Sequence, residues 1–100
     1  MANVVQKFNI EIHYNIQGEP FFFSRVIYNC KLYQDGHLSG EFLLGKNFYA
    51  QLPKHKDFQD MKNVFDILDS KAFKNRLLEE FDEQDKISIR EIRLQTSTEF

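Results

Sequence analysis

The chain has 100 residues with 13 basic and 15 acidic side chains, so it lacks the basic excess on which nucleic-acid binding depends. This length predicts one domain, and 42% hydrophobic with 28% charged residues is typical of a globular rather than a disordered protein. The single cysteine, Cys30, allows no internal disulfide, and the sequence contains neither a signal-peptide pattern nor a bilayer-spanning apolar run, so we expect a cytoplasmic protein.

The first predicted element is a half-buried strand. Its apolar side chains alternate with polar ones: Phe8, Ile10, Ile12, Tyr14 and Ile16 are separated by Asn9, Glu11, His13 and Asn15. This period of two predicts one face in the core and one in water. Residues 17–20, which include Gly18 and Pro20, predict a turn.

The second predicted strand runs from Phe21 to Tyr33 and carries apolar side chains on both faces. One face holds Val26, Tyr28, Cys30 and Leu32, and the other holds Phe21, Phe23, Ile27 and Tyr33. Apolar residues on both faces predict a central strand that is covered on two sides.

The Asp35-Gly36 pair predicts a hairpin that leads into a third strand, from Leu38 to Leu52. Gly45 interrupts the alternation of this strand. We therefore expect either a bulge or a second turn at residues 45–47.

Helical spacing follows in two stripes. The first stripe is Phe58, Met61, Val64, Phe65 and Leu68, and the second is Phe73, Leu77 and Phe81. The stripes lie about 160° apart at 100° per residue, so one straight helix cannot bury both. We predict an N-cap at Asp57 and a break near Asp69 and Ser70, either of which can cap the second helix.

The last predicted strand spans residues 86–96, and its alternation changes phase. This change indicates either a bulge near Arg90 and Glu91 or a strand with both faces partly covered. The element order is β-β-β-α-α-β. It predicts a two-layer α+β fold with an antiparallel sheet of about four strands and helices on one face.

No motif for catalysis, nucleotide binding or metal binding is present, so we expect no enzyme activity, no cofactor and no metal. We expect His13, His37 and His55 to be surface residues, although a zinc site assembled from distant elements is left open. Cys30 is expected to be a buried, unreactive thiol because it lies between apolar strand residues.

Two surface features favour binding to another protein. Residues 57–85 hold nine acidic and four basic side chains, and the acids are densest at Glu79, Glu80, Asp82, Glu83 and Asp85. The second feature is the predicted second face of the sheet, with Phe21, Phe23, Ile27 and Tyr33, extended by Leu43 and Tyr49. A solvated acidic helix and a covered aromatic face are the structural alternatives.

In size and charge alone, the chain resembles bacterial immunity proteins and phage-encoded inhibitors. We therefore predict a non-catalytic protein-binding module of inhibitor, antitoxin or immunity type, whose partner is another protein such as a basic toxin or nuclease. Nucleic acid and membrane are not expected as partners. The alternatives are a small-ligand-binding domain with a pocket lined by Phe and Tyr, and a structural subunit that self-associates as a homodimer.

Overall fold

Five antiparallel strands form one sheet in the computed structural model, which describes residues 3–53 and 57–96. The elements in chain order are β1 (Val4–Ile16), β2 (Phe22–Tyr33), β3 (His37–Phe42), β4 (Asn47–Gln51), α1 (Met61–Leu68), α2 (Lys71–Leu78) and β5 (Ile87–Thr96). The strand order is β4-β3-β2-β1-β5, which places the last strand beside the first. The predicted α+β class is confirmed, with one strand more than expected.

The additional strand arises from a second turn within the predicted third strand. A 3-10 turn at Leu43–Gly45 separates β3 from β4, and the backbone N–H of Phe42 donates to the carbonyl of Lys46 at 2.7 Å to close the turn. Gly45 has φ +84°, a conformation that glycine adopts without steric cost. The hairpin predicted at Asp35-Gly36 is confirmed.

A bulge in β2 overturns the prediction of two covered faces. Phe8 pairs with Cys30, but Ile10 pairs with Ile27, so one residue of β1 lies opposite two residues of β2. The inserted residue is Asn29, whose φ is +53°. Because the bulge changes the alternation, Ile27 and Cys30 both point into the same core, whereas the other face of β2 carries side chains that are exposed or half-buried, namely Phe22, Val26 and Tyr28.

The core is a single cluster of side chains from the strands and from both helices. Alternate residues of β1 are buried, and helix side chains join them in a single cluster that includes Phe8, Ile10, Ile12, Tyr14, Ile27, Cys30, Leu32, Phe48, Val64, Leu68, Phe73, Leu77 and Ile92. The ring of Phe73 on α2 meets that of Phe48 on β4 edge-on, with centroids 6.3 Å apart.

The helix boundaries confirm one predicted cap and correct another. The side chain of Ser70 accepts from the N–H of Phe73 and begins α2, as the break between the two stripes predicted. The N-cap of α1 is Asp60, whose carboxylate accepts from the N–H of Lys62, so the predicted cap at Asp57 is wrong.

Of the two alternatives for the last strand, β5 has the bulge. His13 pairs with Glu91 and Tyr14 pairs with Ile89, which leaves Arg90 without a partner on β1. This bulge explains the change of phase along the strand, because it returns the apolar residues on either side of it to one face. No helix in residues 3–53 and 57–96 is long and apolar enough to cross a membrane.

Candidate partner-binding surface

Three segments that are distant in sequence meet at one end of the sheet. They are the β1–β2 turn with the first residue of β2 (17–22), the β3–β4 turn with the residue that follows it (43–46) and the segment between α2 and β5 (79–86); we call this region the turn end. The backbone N–H of Gln17 donates to the carbonyl of Lys86 at 2.8 Å. The ammonium of Lys46 lies 3.2 Å from a carboxylate oxygen of Glu80. These two contacts hold the three segments together.

The inner side of the turn end is packed with aromatic rings. Phe81 meets Tyr14 of β1 edge-on with centroids 4.8 Å apart. The guanidinium of Arg25 lies over the ring of Phe81, 4.5 Å from its centroid, and 5.8 Å from that of Phe42. The segment that carries the acids is therefore anchored to β1 and β2.

Four large apolar side chains are exposed on the outer side of the turn end. The exposed fractions are 69% for Phe21, 66% for Phe22, 74% for Leu43 and 98% for Leu44. Only Phe22 has a ring contact, with the guanidinium of Arg90 4.3 Å from its centroid. Water therefore covers most of the apolar surface at this end.

Leu44 is both the most exposed of these residues and the one with the least favourable backbone. Its φ is +74° and its ψ is +13°, which is the left-handed conformation. This conformation costs an L-residue other than glycine about 1–2 kcal/mol. Neither the local backbone nor core packing explains a leucine at this position.

Among the predicted acidic residues, Glu80 is part of the internal framework. Its carboxylate bonds to Arg76 at 2.9 Å and to Lys46 at 3.2 Å. Partial burial raises the pKa of Glu80, but the hydrogen bonds from Arg76 and Lys46 outweigh burial and hold this pKa below its ordinary value. Glu80 therefore links α2 to the β3–β4 turn.

The other predicted acids lie on the surface of the turn end. Glu83 lies 3.6 Å from the ammonium of Lys86, and both side chains are exposed. Glu79, Asp82 and Asp85 are exposed and form no ion pair with any residue in the described part of the chain. These carboxylates give the segment between α2 and β5 an exposed negative charge.

The structure does not bring the predicted aromatic face together as one surface. Ile27 is fully buried, and Phe23 stacks on Tyr14 with centroids 5.9 Å apart, so both lie on the core side because of the β2 bulge. Tyr33 is half-buried at the other end of β2, and of the predicted face only Phe21 and Leu43 lie at the turn end. Sequence reasoning missed Phe22 and Leu44; the run Leu43-Leu44-Gly45 directly after a strand was the available signal.

The opposite face of the sheet carries an open groove of about 820 Å³. Lys7 of β1 lies directly opposite Lys31 of β2, and neither forms an ion pair with a described residue. Ser39 and Tyr49 continue the same cross-strand row. The groove therefore joins two unpaired positive charges, a hydroxyl and an exposed aromatic ring, together with the carboxylate of Glu41, which accepts a hydrogen bond from Asn29.

The remaining candidates for chemistry have structural partners. His13 contacts the carboxylate of Glu11, and His37 lies 2.8 Å from Asp35, while His55 lies outside the described residues. In residues 3–53 and 57–96, no group of three His, Cys, Asp or Glu side chains is arranged to hold a metal ion. Burial raises the pKa of the Cys30 thiol to about 12, which suppresses its thiolate form.

Comparison with known proteins finds no relative of the chain. No protein-family model, no curated protein and no solved structure matches it. The turn end combines exposed apolar side chains with exposed carboxylates, which suits association with a complementary surface.

Proposed function

We propose that the chain is a cytoplasmic, non-catalytic protein-binding module of inhibitor or immunity type, and that its partner docks on the turn end. The observation that carries the proposal is Leu44, which is 98% exposed on a left-handed backbone. Strained backbone is retained where it serves a function. Burial of a leucine side chain in a partner's pocket contributes about 1.5–3 kcal/mol to the free energy of binding. A leucine that stays exposed to solvent does not gain this free energy.

The partner that fits this surface is a protein that presents both an apolar pocket and basic side chains. Glu79, Asp82 and Asp85 are exposed and have no ion-pair partner among the described residues, so they are available to basic side chains of another protein. Opposite charges accelerate association and make it sensitive to salt. If the partner is a nuclease, these carboxylates would occupy the positions of nucleic-acid phosphates.

The proposal is tested by affinity capture from lysate of the protein's own source. The wild-type chain is compared with Leu44→Gly and with a Glu79→Gln, Asp82→Asn, Asp85→Asn triple variant. Tyr49→Ser is the matched control. Tyr49 is 63% exposed but lies within β4, opposite Ser39 and outside the turn end.

We expect one near-stoichiometric partner that the wild type and the Tyr49 control retain. Leu44→Gly should lower the recovery of the partner at every salt concentration. The triple variant should lower the recovery and also make it depend less on salt concentration. Equal recovery by all four proteins would refute the turn end as the docking site.

The opposing pair Lys7 and Lys31 favours a second candidate function, the binding of a small phosphorylated molecule in the open groove. Like charges directly opposite each other destabilise a sheet, and a bound anion removes that repulsion. Inorganic phosphate should raise the Tm more than sodium chloride at equal ionic strength. A Lys7→Gln, Lys31→Gln variant should lose this increase, and Lys62→Gln should keep it; an equal response to both salts contradicts the candidate.

A further inference from the structure

β5 is a long edge strand with an unpaired side. It runs for ten residues and pairs with β1, and no strand lies on its other side in the part of the chain that the structure describes. The outer N–H and C=O groups of an edge strand form a template for another strand.

The two edges of the sheet are protected to different degrees. β4, at the other edge, has five residues, and the guanidinium of Arg76 donates to the carbonyl of Tyr49 at 2.7 Å. No hydrogen bond from a described side chain reaches the β5 backbone. Edges are blocked by short length, covering groups, bulges or charged side chains. β5 is long and uncovered among the described residues, and its protection is limited to the Arg90 bulge and its charged side chains.

The core side of β5 is also incompletely covered. Ile87, Ile89 and Leu94 pack against the core but are only partly buried, whereas Ile10 and Ile12 on the neighbouring strand are fully buried. A strand added beside β5 would cover this apolar row and satisfy the open backbone groups at the same time.

We propose that this strand is β5 of a second copy, paired antiparallel about a two-fold axis at Ile92. Side chains that lie directly opposite each other in an antiparallel pair are on the same face of the sheet. An axis midway between two consecutive residues would oppose residues from different faces, so the axis must pass through a residue. An axis at Glu91 would oppose two glutamates, and an axis at Arg93 would oppose two arginines. An axis at Ile92 pairs Glu91 of each copy with Arg93 of the other, twice per dimer.

The Arg90 bulge is compatible with this register. Because the bulge places Ile89 on the same face as Leu94, Leu94 of one copy meets Ile89 of the other across the seam. The apolar row then continues through the interface. Antiparallel pairing directs the two turn ends to opposite ends of the dimer, so the inference is independent of the proposed function.

Sedimentation velocity over a range of concentrations tests the dimer with the full chain. The four proteins are the wild type, Glu91→Arg, Arg93→Glu and the double charge swap. Within one copy Arg93 lies 3.2 Å from Glu91, but both side chains are more than half exposed. Loss of this surface ion pair should therefore leave the fold intact, which circular dichroism verifies. Glu79→Arg is the control for charge reversal elsewhere.

The wild type and the Glu79 control should dimerise with equal Kd. Each single swap should raise the Kd at least about tenfold because it opposes like charges twice, and the double swap should restore dimerisation. A wild type that is monomeric throughout would overturn the proposal. The proposal would also be overturned if the single swaps did not weaken the dimer, or if the double swap remained monomeric.

Amide hydrogen exchange provides a second readout that depends on the seam itself. Backbone amides of β5 should gain protection as the wild type moves from the monomeric to the dimeric concentration range, while those of β4 should not. Unchanged β5 exchange in a sample that sedimentation shows to be dimeric would assign the interface to another surface and contradict the inference.

Discussion

The amide oxygen of Asn9 on β1 accepts a hydrogen bond from the backbone N–H of Asn29 on β2 at 3.1 Å. The bond satisfies an N–H group that the bulge removes from the regular ladder. The side chain of Asn29 in turn donates to Glu41 on β3 at 2.7 Å. One left-handed residue thus connects three strands and determines which β2 side chains enter the core.

Asn29→Ala should lower the free energy of unfolding by about 1–2 kcal/mol, because alanine tolerates a left-handed backbone poorly and cannot bond to Glu41. Asn29→Gly is the matched control; it loses the same side-chain bond but avoids the strain, so its cost should be less. Urea denaturation measures both. Equal costs would show that the left-handed conformation contributes nothing to the difference.

Gly40→Ala should destabilise the chain by about 1–3 kcal/mol through overpacking. A Cβ at this position would lie 2.6 Å from Cγ2 of Ile27 and 2.9 Å from Sγ of Cys30. Cys30→Ala removes one of these clashes, so the double variant should be more stable than the sum of the two single effects predicts. Simple additivity in urea denaturation would contradict the proposed contact.

Leu44→Gly should raise the free energy of unfolding by about 1 kcal/mol, because glycine adopts φ +74° without a Cβ clash and no packing is lost. Leu44→Ala is the control that removes the apolar side chain but keeps the strain, and it should not stabilise. Thermal and urea unfolding measure the effect. A glycine variant less stable than the wild type would mean that Leu44 has a structural role.

Glu80→Gln should change the acid side of the stability profile. Because the pKa of Glu80 is lower in the folded chain, its ion pairs contribute fully above the ordinary glutamate pKa of 4.5 and are lost as the pH falls through the folded-state value. The variant should therefore be less stable near neutral pH and lose less stability on acidification. Glu79→Gln, which has no ion pair in the described chain, should follow the wild type; the same behaviour from both variants would contradict the account.

The parts of the fold that local chemistry determines could be predicted from sequence. The alternation from Phe8 to Tyr14, the Asp35-Gly36 hairpin, the cap at Ser70 and the bulge at Arg90 each depend on residues within a few positions. The β2 bulge was missed because a change of alternation and a strand covered on two faces produce the same pattern of apolar residues. An asparagine between Ile27 and Cys30 was the local signal that separates them.

The candidate site was less accessible to sequence reasoning because it is assembled by tertiary contacts. The acidic segment was visible as a composition, but its position beside the β3–β4 turn depends on the pairing of Lys46 with Glu80. The aromatic face was assigned from an alternation that the bulge breaks, which moved Ile27 and Phe23 to the core side. Leu44 became a candidate only when its backbone conformation and exposure were known.

The claim that the turn end binds a partner protein is tested most directly by the recovery ratio of captured protein between the wild type and Leu44→Gly. Both are exposed to the same lysate of the native source and quantified by isotope-labelled mass spectrometry. We expect one near-stoichiometric protein whose recovery is at least about tenfold lower with Leu44→Gly than with the wild type, as expected for loss of a buried leucine. A ratio of one for every captured protein would contradict the claim.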